Sequence, residues 1–597
     1  MKTWMAALGQ KYSQQFGISL KEEFALCQSG AMPRAQQIRR LQGGLLTLMD
    51  KQDVRYANRT LMAHMVELGM WKQDWPEDKE RVLLEKPEGL GQRRALVSKR
   101  RDIEPSDQTR DALEFLQSNT YSVNTRVYEV MKGIGGMPGY LAAEVERVLD
   151  YHFPDHTVAD YASLNATFHY DWMVDWRTRL YANAYGALNF QGDHYNRALV
   201  RWGKAYKIGD NFTAFASVLL DEYGVTKENY QDIIDNFAAY HKEDGMDFKV
   251  LDAAFAMQEV IDTGETSYIV QQDATCSGFQ HMACLMGDRD LAEVVNVLGS
   301  NTKRHDLYML IVETFMKQEG PWQTYLASVS KKKLRKFLAK PTVMLTGYGS
   351  TANPIALKFL GYDDKAKFVD ENGELQDCDG DWEMIEKAID QGQAVTFMPP
   401  AFLAPFFEGM DPVTMMHHAL TLAKLFQDTL FAAFPSIYKF IELMKDYAKT
   451  TFKEHDKQRC AIWQNPVDTT IYDLPWKCVN SGEVETFTYT KEGKKHSCNM
   501  LKMYKDAKSA GFPPNFIHSF DAAIIIMVIL KAKEAGIPTA PIHDSIGTTV
   551  ESMHLMPRFY SQSMAETYND TDWLYDLFGM RLKQENIILD ANKNMIF

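Results

Sequence analysis

The sequence predicts a predominantly helical α+β fold with a small antiparallel sheet, and two observations lead to this prediction. Apolar residues recur three and four positions apart along most of the chain, which is the spacing that buries one face of an α-helix. Short β-favouring runs interrupt this pattern, and two of them, at 267–273 and 537–550, end or turn at an aspartate. The length of 597 residues exceeds one ordinary core and favours about three or four subdomains.

The composition is that of an ordinary globular protein, with 45% hydrophobic and 24% charged residues. The net charge of −14 opposes a protein whose whole surface coats nucleic acid, although a local basic channel remains compatible with it. The 7 cysteines form no C-x-x-C pair, which favours a reducing compartment and predicts no zinc site. No stretch approaches the roughly eighteen consecutive apolar residues of a membrane span. The protein is therefore expected in the cytoplasm, without a membrane partner.

Helices and strands are predicted in the following order. Helical patterns occupy 12–27, 35–49 and 54–70, a charged loop or linker runs from Pro76 to Pro105, and helices return at 107–132 and 140–152. A strand-like run at 166–173 precedes Asp175, and 205–262 is mostly helical. Long helices are predicted at 412–434 and 436–453, a β-rich excursion at 461–490, and an apolar helix at 521–535 capped by Ser519.

Two aspartates are the first candidate functional residues. Asp273 ends a β-favouring run, and the turn that begins at Ala274 leads into a helical pattern. Asp544 follows His543 at the tip of a predicted β-hairpin. Alone, the His-Asp-Ser tip is better explained as an ordinary turn. Two strand-borne aspartates together are what a pair of Mg²⁺ ions at a phosphoryl-transfer site requires.

A stripe of side chains lies between the two aspartates in sequence. Lys336, Lys340, Met344 and Tyr348 are spaced four residues apart, so on a helix they would share one face. The ammonium groups suit a triphosphate, and the phenol suits a sugar and base. Without the aspartates, a basic surface helix would be the better interpretation. Pro341 disfavours the α conformation at the residue before it, so the helix is expected to begin at Pro341 or to kink there.

Two tempting metal sites are set aside. The acidic stretch at 361–383 lacks the glycine and the final glutamate of a calcium-binding EF-hand loop, which favours a solvated surface insertion. His281 has no carboxylate at metal-ligand spacing and is expected to pack in the core.

Five motifs in the chain resemble those of the single-subunit RNA polymerases, a family that includes phage and mitochondrial enzymes. Asp273-Ala-Thr-Cys-Ser-Gly-Phe-Gln-His281, Lys340-Pro-Thr-Val-Met-Leu-Thr-Gly-Tyr-Gly-Ser350 and His543-Asp-Ser-Ile-Gly-Thr548 resemble its three signature motifs in order. Asp175-Trp-Arg-Thr-Arg-Leu-Tyr181 is similar to its D-x-x-G-R-x-Y segment, with Thr178 in place of the glycine, and Pro514-Asn-Phe-Ile-His-Ser519 resembles the segment that leaves the fingers.

The resemblance implies a compact phage-like DNA-dependent RNA polymerase with the right-hand fold of palm, fingers and thumb. Its implied divisions are 1–105 as a reduced helical N-terminal domain and linker, 106–160 as the thumb, 161–203, 264–290 and 516–597 as a palm with a small antiparallel sheet, 204–263 as a helical palm insertion, and 291–515 as fingers that include a β-hairpin-like specificity loop near 461–498.

The resemblance also implies roles for individual residues. Those expected in catalysis are Asp273, Asp544, Lys340 and Tyr348, and two Mg²⁺ ions would be held by Asp273, Asp544 and the main-chain carbonyl of Ala274. Those expected to contact substrate or nucleic acid are Lys336, Arg335, Met344, Gly349, Arg179, Tyr181, His518 and His543. Lys336 stands where the family has arginine, and Arg335 is displaced from that position by one residue. The implied partners are a DNA template, the RNA product and ribonucleoside triphosphates.

Two alternative functions remain open. An A-type DNA polymerase is opposed by Ser545, where that class would have glutamate. A catalytically inactive DNA-binding transcription factor is opposed by the presence of both aspartates, Lys340 and Tyr348. Because only 174 residues precede Asp175, initiation is expected to need pre-melted DNA or an accessory factor, such as a single-stranded-DNA-binding protein.

Overall fold

The computed structural model describes residues 82–86, 105–135, 139–153, 166–184, 188–299, 304–361, 366–369, 375–378, 394–450, 453–455, 458–473, 476–491, 494–507, 511–579 and 587–593. The helices predicted at 12–27, 35–49 and 54–70 lie outside these residues, as does most of the predicted charged loop.

The described helices are α1 (Asp107–Ser118), α2 (Thr125–Gly133), α3 (Gly139–His152), α4 (His194–Ala198), α5 (Phe212–Tyr223), α6 (Tyr230–Asp244), α7 (Phe248–Thr263), α8 (Ser277–Met286), α9 (Arg289–Val294), α10 (Leu307–Phe315), α11 (Pro321–Leu326), α12 (Lys331–Leu334), α13 (Lys340–Gly347), α14 (Ala352–Phe359), α15 (Ala404–Phe407), α16 (Pro412–Ala433), α17 (Pro435–Thr450), α18 (Phe512–Glu534), α19 (Met556–Tyr568) and α20 (Trp573–Phe578). The predominantly helical α+β prediction is confirmed.

The described strands are β1 (Tyr121–Val123), β2 (Thr167–Phe168), β3 (Trp172–Val174), β4 (Leu180–Ala182), β5 (Val200–Trp202), β6 (Tyr206–Lys207), β7 (Glu265–Thr266), β8 (Val270–Asp273), β9 (Ala366–Val369), β10 (Leu375–Cys378), β11 (Ala394–Thr396), β12 (Lys453–His455), β13 (Gln458–Gln464), β14 (Thr470–Asp473), β15 (Trp476–Lys491), β16 (Lys494–Ala507), β17 (Ala540–Ile542) and β18 (Ser545–Thr548). They form two- and three-stranded antiparallel sheets.

A three-stranded sheet in the order β17-β18-β8 brings the two aspartates together. The predicted hairpin is confirmed, because β17 and β18 pair directly and only His543 and Asp544 connect them. His543 takes a positive φ of 57°, which allows so short a reversal. In the central strand, a Cβ at Gly547 would lie 2.8 Å from the carbonyl oxygen of Ala540 and 2.5 Å from the side chain of Gln271. Glycine at this position therefore lets the three strands approach closely.

Helix α18 forms the centre of the core and packs against α1, α8, α17 and α19. Among the described residues it is the one helix with the length and hydropathy of a membrane span, but 72% of that window is buried inside the fold. The prediction that Ser519 caps this helix is wrong. The helix begins at Phe512, because Pro513 and Pro514 suit a first turn, and Ser519 lies inside it with its hydroxyl donating to the carbonyl of Phe516 at 2.7 Å.

The single helix predicted over 107–132 is also wrong, because β1 separates α1 from α2. This strand lies between β2 and β5, and its Tyr121 side chain is fully buried. The side chain of Asn124 then caps α2 by accepting a hydrogen bond from the amide of Val127. Two turn-forming asparagines, Asn119 and Asn124, flank a β-favouring Tyr-Ser-Val segment, and this local signal outweighs the helical spacing.

The strand-like run predicted at 166–173 is divided, because β2 and β3 are separate strands in different sheets. The following predictions agree with the structure. Helices α5, α6 and α7 occupy the stretch predicted as mostly helical, and α16 and α17 match the two long helices. The β-rich excursion is confirmed and is longer than expected, because β15 and β16 form a hairpin that continues to Ala507. A small sheet of β9, β10 and β11 forms in and beyond the acidic stretch.

Candidate active site

Asp273 and Asp544 lie at the same end of two neighbouring strands. Ser545 is directly opposite Asp273 in the ladder between β18 and β8, and Asp544 immediately precedes it. Ser277, in the first turn of α8, donates its hydroxyl to Asp544 Oδ2 at 2.8 Å. The strand-end position and the short turn therefore hold both carboxylates at one edge of the sheet.

The two carboxylates are in electrostatic conflict with each other. Burial raises the pKa of Asp273 to about 7, with further contributions from the charges of Asp544 and Glu222, while Lys340 acts in the opposite direction. Burial also raises the pKa of Asp544, and the nearby Asp521 adds to the effect. A cation bound to both carboxylates would offset their mutual repulsion, so the ionised pair favours cation binding.

The donor set fits magnesium. Among the described residues, no three His, Cys, Asp or Glu side chains cluster as ligands, so the protein supplies two carboxylates rather than a full cage. Mg²⁺ usually takes one or two carboxylates and completes its shell with water and substrate phosphates. A fixed pair of aspartates at the sheet edge matches that requirement. The carbonyl of Ala274 remains a predicted ligand.

A cavity of about 310 Å³ opens on one side of the two aspartates. Its other wall comes from the helical region α4–α7 and includes Arg197, Glu222 and Lys249. The Lys249 ammonium lies 5.3 Å from the ring centre of Tyr223. The predicted stripe of α12–α13 contributes no residue to the lining of this cavity, so the cavity and the stripe are two separate surfaces.

The predicted stripe is confirmed as an exposed helical face. Lys336, Lys340, Met344 and Tyr348 are all exposed, with 40% exposure at Met344 and 37% at Tyr348. Between α12 and α13 the chain forms a π-helical segment, Arg335–Ala339, so the helix runs without interruption into the motif. Side chains four residues apart therefore stay on one side of it.

The expected departure of Lys340 from α conformation is wrong. Its backbone has φ −60° and ψ −51°, which is helical. The π-helical turn immediately before Lys340 widens the helix where Pro341 offers no N–H, and this accommodates the proline within the helix.

The stripe helix is fixed on its buried side. A Cβ at Gly347 would lie 2.8 Å from the ring of Phe279, so glycine allows α13 to touch α8. Gln427 of α16 donates to the Thr346 hydroxyl at 3.0 Å and to the Ser350 carbonyl at 3.1 Å. Gly349 has φ +72°, which turns the chain away after Tyr348.

Arg335 lies off the stripe. It donates to Asp306 Oδ2 at 2.5 Å, and its guanidinium lies 5.1 Å from the ring centre of Tyr308. Lys331 is paired in the same way with Glu313 at 2.9 Å. The structure therefore brings Lys336 and Lys340, but not Arg335, onto one face with Met344 and Tyr348.

A polar cluster joins the Asp175–Tyr181 turn to α18. Arg177 forms an ion pair with Asp175 at 2.7 Å and places Nη1 3.4 Å from His518 Nδ1. Arg179 lies 3.8 Å from Asp521. The Tyr181 ring meets the His543 ring edge-on, with centroids 5.5 Å apart. The predicted residues Arg179, Tyr181, His518 and His543 thus come together near the hairpin that carries Asp544.

The family model for DNA-dependent RNA polymerases matches residues 223–594 of this sequence, which is more than half of the chain. The chain belongs to this family.

Its relatives are polymerases of mitochondrial and phage origin. The mitochondrial DNA-directed RNA polymerase of Schizosaccharomyces pombe is 27% identical over 414 residues, which cover 65% of this chain and 33% of that protein. The DNA-directed RNA polymerase of enterobacteria phage T3 is 24% identical over 499 residues, covering 76% of this chain and 53% of that protein. That of enterobacteria phage K11 is 25% identical over 350 residues, covering 53% and 36%.

The resemblance to the single-subunit type is confirmed by these relatives, and the two alternative classes are not favoured. The chain spans between a third and about half of the length of the relatives it matches. Because both mitochondrial and phage polymerases occur among them, the predicted cytoplasmic location stays a prediction.

His518 has a defined chemical state in the polar cluster. Burial and the charges of Arg179 and Arg177 lower its pKa to about 3, so its imidazole is neutral at physiological pH. Because Arg177 faces Nδ1, the proton is assigned to Nε2, which is buried and has no hydrogen-bond partner in the described structure. The Tyr348 ring lies 5.1 Å from it, edge-on. His518 thus offers one free N–H beside Tyr348.

Two buried residues of the polymerase core explain the packing behind this site. His281 is fully buried, as predicted, but it has a carboxylate neighbour, since its Nε2 lies 2.8 Å from Asp521. Its Nδ1 lies 2.7 Å from the Tyr568 hydroxyl. Burial alone would raise the pKa of Asp521, but His281 and Arg179 hold it below its usual range.

Sequence reasoning missed several residues near the centre. Those that the structure adds are Arg177, Arg197, Glu222, Lys249, Ser277 and Asp521. Ser277 could have been found, because it belongs to the first signature motif. Glu222 and Lys249 could not, because they lie on amphipathic helices whose pattern gives no sign of a cleft.

Proposed function

We propose that this chain is a DNA-dependent RNA polymerase that joins ribonucleotides by two-metal-ion nucleotidyl transfer. One observation supports this most strongly. Asp273 at the end of β8 and Asp544 immediately before β18 both have raised pKa values, and Asp273 lies within the electrostatic influence of Lys340, which stands on an exposed stripe with Lys336 and Tyr348.

Asp273 and Asp544 would hold two Mg²⁺ ions, with the carbonyl of Ala274 as a further ligand. When bound, such ions lower the pKa of the attacking 3′-hydroxyl and neutralise the triphosphate. Ser277 orients Asp544 through its hydrogen bond. The protein fixes this pair of carboxylates at the sheet edge. The Ser545 hydroxyl donates to Gln271 Oε1 at 2.9 Å, and this hydrogen bond links β18 to β8 beside the pair.

Lys340 and Lys336 bind and orient the triphosphate as point charges. Met344 and Tyr348 continue the same face toward the sugar and base. Along the exposed face, the ammonium groups lie at one end and the phenol at the other. A nucleoside triphosphate has its phosphates at one end and its sugar and base at the other, so the two orders match. Arg335, paired with Asp306, shapes this helix from the side.

The cavity lined by α4–α7 and the two aspartates would take the 3′ end of the product strand. Phosphoryl transfer requires the attacking and leaving oxygens to be roughly in line, on opposite sides of the transferred group. If the leaving pyrophosphate is held by Lys340, the attacking hydroxyl belongs on the side lined by Arg197 and Lys249. Both cations suit the phosphates of a nucleic-acid strand.

Tyr348 and His518 would select the ribose. The free Nε2–H of His518 is a donor for an oxygen of the incoming sugar, and the adjacent phenol of Tyr348 can complete the hydrogen bonding of a 2′-hydroxyl. A deoxyribose would leave the buried Nε2–H of His518 without a partner, which costs about 1–3 kcal/mol.

The remaining divisions follow the family pattern. Residues 106–160 would be the thumb, 161–203, 264–290 and 516–597 the palm, 204–263 the palm insertion and 291–515 the fingers. The β15–β16 hairpin lies at the end of the fingers segment, and a two-stranded ribbon fits the major groove of DNA. The partners would be template DNA, RNA product and ribonucleoside triphosphates, with an accessory protein for initiation.

The test is primer extension on a nicked or pre-opened bubble template, with ribonucleotides and deoxyribonucleotides supplied separately. We expect ribonucleotide incorporation that stops in Asp273→Asn and Asp544→Asn variants while template binding persists. Efficient deoxyribonucleotide incorporation would favour the A-type DNA polymerase instead. Binding without extension by the unaltered chain would favour the inactive transcription factor.

A further inference from the structure

Thr178 has a backbone conformation that its side chain disfavours. Its φ is 66°, in the left-handed region that suits glycine, and its side chain is only 1% exposed. A β-branched residue in this region is an outlier and costs free energy. The family pattern has glycine at this position, and the positive φ gives the physical reason. Something else in this chain must therefore hold the threonine in place.

The compensation is a buried hydrogen bond to a distant loop. The Thr178 hydroxyl donates to the carbonyl of Arg177 at 2.6 Å and accepts from Nδ2 of Asn465 at 3.0 Å. A glycine would take the same φ without strain, but it could form neither bond. The threonine therefore has a strained backbone but forms two hydrogen bonds that a glycine could not form.

Asn465 is itself firmly placed. It is fully buried at the end of β13, and its Oδ1 accepts from the amides of Val467 and Thr469 at 3.3 and 3.0 Å. Its Nδ2 also lies 3.4 Å from the carbonyl of Ser519 in α18. This one side chain thus closes the β13–β14 loop and connects it to the core helix and to Thr178.

The turn that contains Thr178 carries two arginines of the proposed site. The Asp175 carboxylate accepts from the amides of Arg177 and Arg179, at 2.8 and 3.0 Å. From this turn, the Arg177 side chain reaches His518 and the Arg179 side chain reaches Asp521. A shift of the turn would move both guanidinium groups relative to α18.

We propose that Thr178 and Asn465 are a positioning pair, which ties the arginine turn to the base of the β-excursion and so fixes His518 for ribose selection. The pair links the β13–β14 loop, the arginine turn and the helix that carries His518 through buried hydrogen bonds. This inference rests on the proposed polymerase function.

Four variants separate the anchor from the strain. Thr178→Ala and Thr178→Gly both remove the hydroxyl, Thr178→Ser keeps it, and Asn465→Ala removes the donor. We expect the ratio of ribonucleotide to deoxyribonucleotide kcat/KM to fall about three- to tenfold in the first two and in Asn465→Ala, the range for loss of one buried hydrogen bond. Thr178→Ser should stay within about twofold of the unaltered chain. The double variant Thr178→Ala with Asn465→Ala should lose no more than the worse single variant.

Thr263→Ala is the matched control, because its hydroxyl also bonds a backbone carbonyl but lies exposed at the end of α7. If Thr178→Ala and Thr178→Gly lower only the unfolding midpoint and leave the sugar ratio unchanged, the pair is merely structural and the inference is overturned. A lowered sugar ratio is the result that a general loss of folding would not give, because unfolded molecules reduce incorporation of both nucleotide types equally.

A second measurement keeps the inference testable if the unaltered chain extends no primer, which would overturn the proposed function. Histidine titration by NMR should find the pKa of His518 well below its usual range and closer to normal in Thr178→Ala, because Arg177 and Arg179 would move away. The other charged or polar neighbours are Asp521, His543 and Tyr348. An unchanged His518 titration in Thr178→Ala would overturn the positioning role.

Discussion

Replacing Asp273 with asparagine should stop catalysis and at the same time stabilise the metal-free fold. The pKa of Asp273 is raised to about 7 by burial and by the charges of Asp544 and Glu222. In the unfolded chain the same group has its ordinary pKa of 3.8. The folded state therefore binds more protons between these values, so the stability of the unaltered protein falls as pH rises from about 4 to about 7.

The size of the effect follows from that difference. A shift of about three pKa units corresponds to about 4 kcal/mol for a fully enclosed group. Because the Asp273 side chain is exposed to solvent in its cleft, screening reduces the expected gain in unfolding free energy to about 1–2 kcal/mol at pH 8. At pH 4 the aspartate is protonated and resembles asparagine, so the two proteins should then unfold alike.

The assay is denaturant unfolding in EDTA at pH 4, 6 and 8, followed by a Mg²⁺ titration at pH 8. Mg²⁺ at about ten times its Kd should stabilise the unaltered protein by about 1.4 kcal/mol and should have little effect on Asp273→Asn. Asp428→Asn, an exposed change on α16, is the control that should show neither effect. Equal stabilisation of both proteins by Mg²⁺, or an Asp273→Asn variant that is no more stable at pH 8, would refute the assignment of the carboxylate pair.

Three further predictions concern substrate recognition. Tyr348→Phe keeps the ring and loses the hydroxyl, so preference for ribonucleotides should fall about ten- to a hundredfold; competition between the two nucleotide types measures it, and unchanged preference would leave His518 as the sensor. Because burial and Arg179 lower the pKa of His518 to about 3, this preference should not change between pH 6 and 8, and a midpoint near 6.5 in single-turnover sugar discrimination would contradict a neutral histidine. Lys249→Gln should raise the primer concentration needed for half-maximal extension about three- to tenfold, with no change in nucleotide KM. An effect on nucleotide KM alone would contradict binding of the product strand in the cavity.

Local signals predicted the parts of the site that lie close together in sequence. The His543-Asp544 reversal, the strand that ends at Asp273 and the exposed face from Lys336 to Tyr348 each follow from the periodicity of a few residues. The misplaced helix start at Ser519 had a local cause as well, since Pro513 and Pro514 were available as first-turn residues. Local signals could not predict that the charge of Glu222 acts on Asp273. The two residues are brought to one cavity only by the packing of α5 beside the sheet.

In the basic run 331–340, composition does not predict which side chains remain free to bind an anion. Ion pairs with residues distant in sequence determine this. Counted along the sequence, this run is simply basic, and a solvated surface helix explains it equally well. The structure divides it, because Lys331 meets Glu313 and Arg335 meets Asp306, both contributed by the region of α10. Among the described residues, Lys336 and Lys340 have no ion-pair partner and remain exposed. Lys332 and Lys333 are also exposed and have no ion-pair partner among the described residues, so the positive field of this run extends beyond the stripe. Within the stripe, Lys340 is the cation that acts on Asp273. A polyanion is the ligand that such a field attracts, and its size is limited by Met344 and Tyr348 at the far end.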